Sequence, residues 1–86
     1  MFLKGKTALI TGSTSGIGLG YARALAGEGA NVMINGFGDA AEIQGYVEDL
    51  IRTSNAGALY SGADMTKPDE IRAMVADCTA RLGAPD

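Results

Sequence analysis

Residues 7–18 read Thr7-Ala8-Leu9-Ile10-Thr11-Gly12-Ser13-Thr14-Ser15-Gly16-Ile17-Gly18. Thr7 to Ile10 is a short, continuous apolar run, the pattern of a strand covered on both faces of a parallel sheet. Three glycines then follow at G-x-x-x-G-x-G spacing, and helical periodicity begins from the second of them, Gly16. A turn of this kind leaves backbone N–H groups exposed at the positive end of a helix, where a phosphate can sit without a side chain in the way. Gly12 permits the tight exit from the strand, Gly16 lets the backbone approach a pyrophosphate, and Gly18 removes a side chain where helix meets sheet. In this strand-to-helix context residues 12–18 (Gly12, Ser13, Thr14, Ser15, Gly16, Ile17, Gly18) are expected to form a dinucleotide-binding loop; the alternative is a merely structural glycine-rich turn. A nucleoside-triphosphate P-loop needs Gly-Lys-Ser/Thr, and no lysine lies between Lys6 and Lys67. The hydroxyls of Ser13, Thr14 and Ser15 each have two readings, donation to a phosphate or ribose oxygen and local turn bonding.

Working outward, Ile17, Tyr21, Ala22, Leu25 and Ala26 recur at helical spacing until Gly27 and Gly29 stop a first helix. Asn31 to Asn35 is a second apolar strand core, closed by Gly36-Phe37-Gly38. Asp39 can cap a second helix, with Glu42 in the capping-box position and a stripe of Ile43, Val47, Leu50 and Ile51 running to about Thr53. Ala58 to Ala63 is a third strand on the strength of its place in the alternation. Thr66 is expected to cap a third helix with Pro68, Asp69 and Glu70 in its first turn, a stripe of Ile71, Met74, Val75, Cys78 and Leu82, and Gly83 as its stop. Cys78 reads as a small buried hydrophobe, the other reading being a reactive thiol.

The order βαβαβα with short connections is the amino-terminal half of a three-layer, Rossmann-type, doubly wound parallel α/β sheet. Right-handed crossovers give strand order 3-2-1. The first strand then lies at an edge, although its residues suit a strand paired on both sides. A fourth strand is therefore expected, and residues 1–86 read as part of a single dinucleotide-binding domain that continues beyond Asp86.

Composition bounds the rest. The chain of 86 residues is 47% hydrophobic and 20% charged, ordinary for a globular domain whose core is thin at this size. A net charge of -3 gives no electrostatic footprint for nucleic acid or an anionic membrane, so neither is expected as a partner. The start lacks the apolar core of a signal peptide, and no window approaches the ~18 apolar residues of a membrane span. One cysteine and no histidine allow neither an internal disulfide nor a metal-ligand cluster, and a cytoplasmic setting is expected.

Thr11-Gly12-x-x-x-Gly16-x-Gly18 resembles the cofactor motif of the short-chain dehydrogenase/reductase family, and Gly62-Ala63-Asp64-Met65-Thr66 resembles that family's adenine pocket at the end of the third strand. The likeness runs over essentially the whole chain, as roughly the first third of such an enzyme. It implies that Asp64 accepts a hydrogen bond from the adenine amino group while Ala63 and Met65 line the ring; the other reading for Asp64 is a solvated turn residue. Many members that use NAD carry an acidic residue at the end of the second strand, where this chain has Asn35-Gly36-Phe37. The nearest carboxylate, Asp39, is either a ribose ligand or only a helix cap. No Lys or Arg between Arg23 and Arg52 is available to neutralise a 2′-phosphate, so NAD is expected, with Phe37 beside the adenosine or else simply buried.

The Asn35-Gly36-Phe37-Gly38 turn and the Asp39-Ala40-Ala41-Glu42-Ile43 segment after it, together with Leu3-Lys4-Gly5-Lys6, narrow the resemblance to the branch interconverting (R)-3-hydroxybutyrate and acetoacetate. It implies a homotetrameric oxidoreductase that moves a hydride between NAD and a small hydroxy or keto acid. Its chemistry would use a Ser-Tyr-Lys constellation, with Tyr as general acid/base, Lys lowering its pKa and Ser orienting the substrate. None of those positions falls within residues 1–86, and Tyr21, Tyr46 and Tyr60 are assigned no catalysis, so the segment alone is expected to bind cofactor and to be inactive. The alternatives are another short-chain reductase, such as a 3-oxoacyl thioester reductase, or a dinucleotide-binding fragment without catalysis.

Overall fold

The computed structural model describes residues 3–12, 14 and 16–85. Six elements alternate as expected: β1 (Thr7–Ile10), α1 (Gly16–Gly27), β2 (Asn31–Asn35), α2 (Ala40–Ser54), β3 (Ala58–Ser61) and α3 (Pro68–Arg81). The strands form one parallel sheet with β2 in the centre, so the order is 3-2-1.

The twofold period of β2 decides which side chain faces which layer. Val32 and Ile34 pack with Ala22, Ala26, Leu50 and Ala58 under α1 and α2, while Met33 packs with Met74 and Cys78 under α3. Helices therefore cover both faces. Val32, Met33, Ile34 and Leu50 are all but inaccessible, and burial of side chains of this size contributes about 1.5–3 kcal/mol each. Cys78 sits in this second cluster with its thiol 3.8 Å from the Gly83 carbonyl, and burial, with Asp77 beside it, pushes the thiol pKa up. It is a small core hydrophobe.

The sheet-facing stripe of α1 differs from the expected one. Leu19, Ala22 and Ala26 face the sheet, whereas Ile17 and Tyr21 are 79% and 63% exposed. The small alanines allow the helix to lie close to the strands, which turns the larger apolar residues outward. On α2, Ile43 and Leu50 are buried and Ile51 is exposed; on α3, Met74 and Cys78 are buried and Val75 is exposed.

Helix ends follow local chemistry. Asp39 caps α2, its side chain accepting from the Glu42 N–H at 3.1 Å. Asn55 ends that helix in the left-handed region, with φ 54°. Thr66 does not cap α3: the cap position is Lys67, with no side-chain bond and Pro68 opening the helix. The Thr66 hydroxyl and N–H are instead committed to Asp64. β3 also ends at Ser61, two residues before the expected limit, where the chain turns into the loop that carries Asp64.

Candidate nucleotide-binding site

Parallel pairing puts Ile10, Ile34 and Tyr60 side by side near the carboxyl ends of their strands. The three following loops consequently leave the sheet at one edge, the place where open α/β sheets bind ligands. Between them lies a cleft of about 390 Å³. The loop after β1 contributes Gly12 and Thr14, the end of β2 contributes Asn35, Gly36 and Phe37, and the loop after β3 contributes Ala63, Asp64, Met65 and Thr66.

Gly12 and Gly16 have φ values of 59° and 57°, the left-handed conformation that side chains disfavour. Apart from its neighbours along the backbone, a Cβ at either position would meet none of the described residues within 4 Å. The backbone geometry calls for glycine there, and the space beside it is open. α1 starts at Gly16 with no acidic residue in its first turn, so its N-terminal N–H groups and positive dipole end are not neutralised from within the helix. Gly18 is half-buried in that first turn and Ile17 is exposed. Ser13 and Ser15 lie outside the described residues.

Thr14 is 8% exposed, and its hydroxyl donates to the Phe37 carbonyl at 2.8 Å, tying the loop after β1 to the loop after β2. Asn35, 2% exposed, spans the other gap: its Nδ2 donates to the carbonyls of Ser61 and Ala63, each at 3.0 Å. Tyr60 donates its hydroxyl to the Gly36 carbonyl at 2.5 Å. The three loops are thus fastened to one another by side chains. Of these bonds the sequence carried only a hint, in the hydroxyl of Thr14; the partners lie 23 to 28 residues away.

Asp64 is partly exposed, and its Oδ1 accepts from both the N–H of Thr66, at 2.9 Å, and the Thr66 hydroxyl, at 2.7 Å. These bonds hold its carboxyl below the usual carboxylate range, so it is ionised at neutral pH. Its N–H donates to Glu70 at 3.0 Å, which fixes the loop against the first turn of α3. Oδ2 takes part in neither Thr66 bond. Phe37 is 75% exposed and Met65 40% exposed, giving the cleft two apolar surfaces; Phe37 is therefore not a core residue. Asp39 caps α2 and is not among the residues lining the cleft.

The donor set fits a dinucleotide. It offers phosphates a helix N-terminus behind left-handed glycines, offers a base the faces of Phe37 and Met65, and offers an amino group the carboxylate of Asp64. Asp64 is the one charged residue among those lining the cleft. The tyrosines stand elsewhere: Tyr21 is exposed on α1, the Tyr46 ring lies 5.8 Å from the Arg23 guanidinium, and Tyr60 is bonded to Gly36. Among the described residues no group of His, Cys, Asp and Glu is placed to hold a metal ion, and no helix is long and apolar enough to cross a membrane.

Residues 6–86 match the family model of the short chain dehydrogenases. The chain belongs to that family. Within the short chain dehydrogenases it is 51% identical over 81 residues to the D-beta-hydroxybutyrate dehydrogenase of Rhizobium meliloti, covering 94% of this chain and 31% of the relative. It is 49% identical over 84 residues to the D-beta-hydroxybutyrate dehydrogenase of Cupriavidus necator, covering 98% of this chain and 32% of that one. Among solved structures, the L-sorbose reductase of Gluconobacter frateurii, in complex with NADPH and L-sorbose, superposes with a TM-score of 0.85 at 30% identity, over 98% of this chain and 32% of its own. The chain spans about a third of the length of the relatives it matches. The short chain dehydrogenases are a family of oxidoreductases that bind nicotinamide dinucleotides.

Proposed function

We propose that this chain supplies the dinucleotide-binding part of an NAD-dependent oxidoreductase that interconverts (R)-3-hydroxybutyrate and acetoacetate. The observation that carries the cofactor half of this reading is the composition of the cleft: the open left-handed Gly12, an ionised Asp64, and no Lys or Arg among its lining residues. A 2′-phosphate needs cationic partners, and here it would meet none among those residues. The L-sorbose reductase structure holds NADPH, so fold alone does not separate the two cofactors, and side-chain charge is what favours NAD. The substrate half rests on the two D-beta-hydroxybutyrate dehydrogenases, at 51% and 49% identity.

On this reading the N-terminus of α1 takes the pyrophosphate, with Gly12, Ser13, Thr14, Ser15, Gly16, Ile17 and Gly18 as its loop. Phe37 and Met65 bracket the adenosine beside Ala63, and Asp64 accepts from the adenine amino group through Oδ2. When bound, the nicotinamide supplies the hydride acceptor or donor. The acid/base Tyr, its Lys and the substrate-orienting Ser would come from outside residues 1–86, in a cytoplasmic homotetramer whose single domain this segment begins. The segment by itself would then turn nothing over.

Steady-state assay of the full-length protein with (R)-3-hydroxybutyrate and each cofactor tests the proposal. We expect kcat/KM for NAD to exceed that for NADP by at least about tenfold, the value of one lost charged contact. A preference for NADP would overturn the cofactor reading; turnover of a 3-oxoacyl thioester but not of acetoacetate would overturn the substrate reading.

A further inference from the structure

Two side chains from different loops hold the turn after β2. Tyr60, half-buried on β3, donates to the Gly36 carbonyl at 2.5 Å, and Thr14 donates to the next carbonyl, that of Phe37, at 2.8 Å. Successive carbonyls of one turn are thus pinned by two other segments. Between these anchors Gly36 has φ 152°, and a Cβ there would meet Thr14 Oγ1 at 2.5 Å, Cγ2 at 3.2 Å and Cβ at 3.3 Å. All three atoms belong to the Thr14 side chain in the conformer that bonds the Phe37 carbonyl, so a side chain at position 36 requires Thr14 to leave that bond.

We propose that Tyr60 and Thr14 clamp the Gly36–Phe37 turn, so that Phe37 is positioned at the adenosine and the end of β2 presents backbone, not a side chain, to the ribose. Tyr60 does not line the cleft and acts through Gly36, as a positioning residue for cofactor binding. This rests on the cleft being the adenosine half of an NAD site, and it adds how the site works without a carboxylate at the end of β2. One consequence runs against expectation. An acidic side chain at position 36, which would offer the ribose hydroxyls an acceptor, cannot be accommodated while the clamp is closed.

Calorimetric titration of the full-length protein with NAD tests the clamp. Tyr60→Phe and Thr14→Val should each weaken NAD binding about three- to tenfold, the equivalent of one neutral hydrogen bond. Thr14→Ser, which keeps the donor, should bind NAD more tightly than Thr14→Val, and Tyr60→Phe should keep kcat at saturating NAD within about twofold. Gly36→Asp should lose NAD affinity. A folded Tyr60→Phe that binds NAD like wild type would overturn the clamp, as would a Gly36→Asp that binds it more tightly. Should Tyr60→Phe fail to fold, equal affinities of Thr14→Val and Thr14→Ser would overturn it. Wild-type protein that binds neither NAD nor NADP would remove the underlying site and the clamp with it, whereas wild-type binding that the variants leave unchanged would remove the clamp alone.

Discussion

Asp64 is bonded within its own loop and lines the cleft with the same carboxylate. Oδ1 is held by the Thr66 N–H and hydroxyl, which lower its pKa, and the sign of the resulting pH dependence is fixed. Because the folded value lies below the unfolded one of about 3.9, the stabilisation is fully present above that pH and is lost as pH falls through the lower folded value. The difference in unfolding free energy between wild type and Asp64→Asn, measured by urea denaturation of the full-length protein, should therefore stay constant from neutral pH down to about 5 and shrink below about 4. A difference that grew on acidification would contradict this account. At the same scale, the position of Asp64 at the strand-end cleft was legible from its place after a predicted strand, but the bonding of Asn35 was not. In sequence Asn35 registers only as a missing carboxylate, whereas in the fold its amide supplies both donors that hold the Ser61 and Ala63 carbonyls. An ionised aspartate of the same shape would bring only acceptors to those carbonyls. Nothing local in the sequence announces partners 26 and 28 residues away.

The elements were legible where their signals are local and were misread where a neighbour competes. Asp39 and Glu42 stand three residues apart, and the cap they predict is the cap found. Thr66 offers the same kind of signal before α3, but Asp64, two residues earlier, takes its hydroxyl first, and Pro68 opens the helix without a side-chain cap. On α1 the 3.6-residue period held, yet the burying face is chosen by how closely Ala22 and Ala26 approach the sheet, a tertiary distance that hydrophobicity does not encode. Asp39 also separates two roles by experiment. Replacing it with Ala removes the bond to the Glu42 N–H and should cost about 1 kcal/mol, seen as a lower urea midpoint with an unchanged slope. Since Asp39 does not line the cleft, NAD affinity should stay within about twofold of wild type, the small effect expected of a substitution outside the contact surface. A large loss of affinity with unchanged stability would instead make Asp39 a ribose ligand.

For the whole molecule, the arrangement of strands matters more than any one contact. β2 is flanked by β1 and β3 and buried on both faces, while β1 pairs with β2 and with no further strand among the described residues. Alongside β1 runs an open groove of about 490 Å³ with Leu3, Leu9, Ile10, Leu25 and Ala30 in its walls. An apolar strand at an open edge with a groove beside it favours pairing with another strand, and a domain of this size buries only about 60% of the surface its unfolded chain exposes. Purified residues 1–86 should consequently associate as concentration rises, bind NAD weakly at most and show no turnover. Sedimentation velocity across a hundredfold range of concentration measures the first of these. A concentration-independent monomer with a sharp unfolding transition would mean that α1, α2 and α3 protect the sheet sufficiently, and that the edge of β1 contributes no drive to association. In a longer chain that covers this edge, the same groove should become inaccessible. Hydrogen exchange at the β1 amides should then slow relative to the 86-residue segment, since protection follows the stability of the unit that must open.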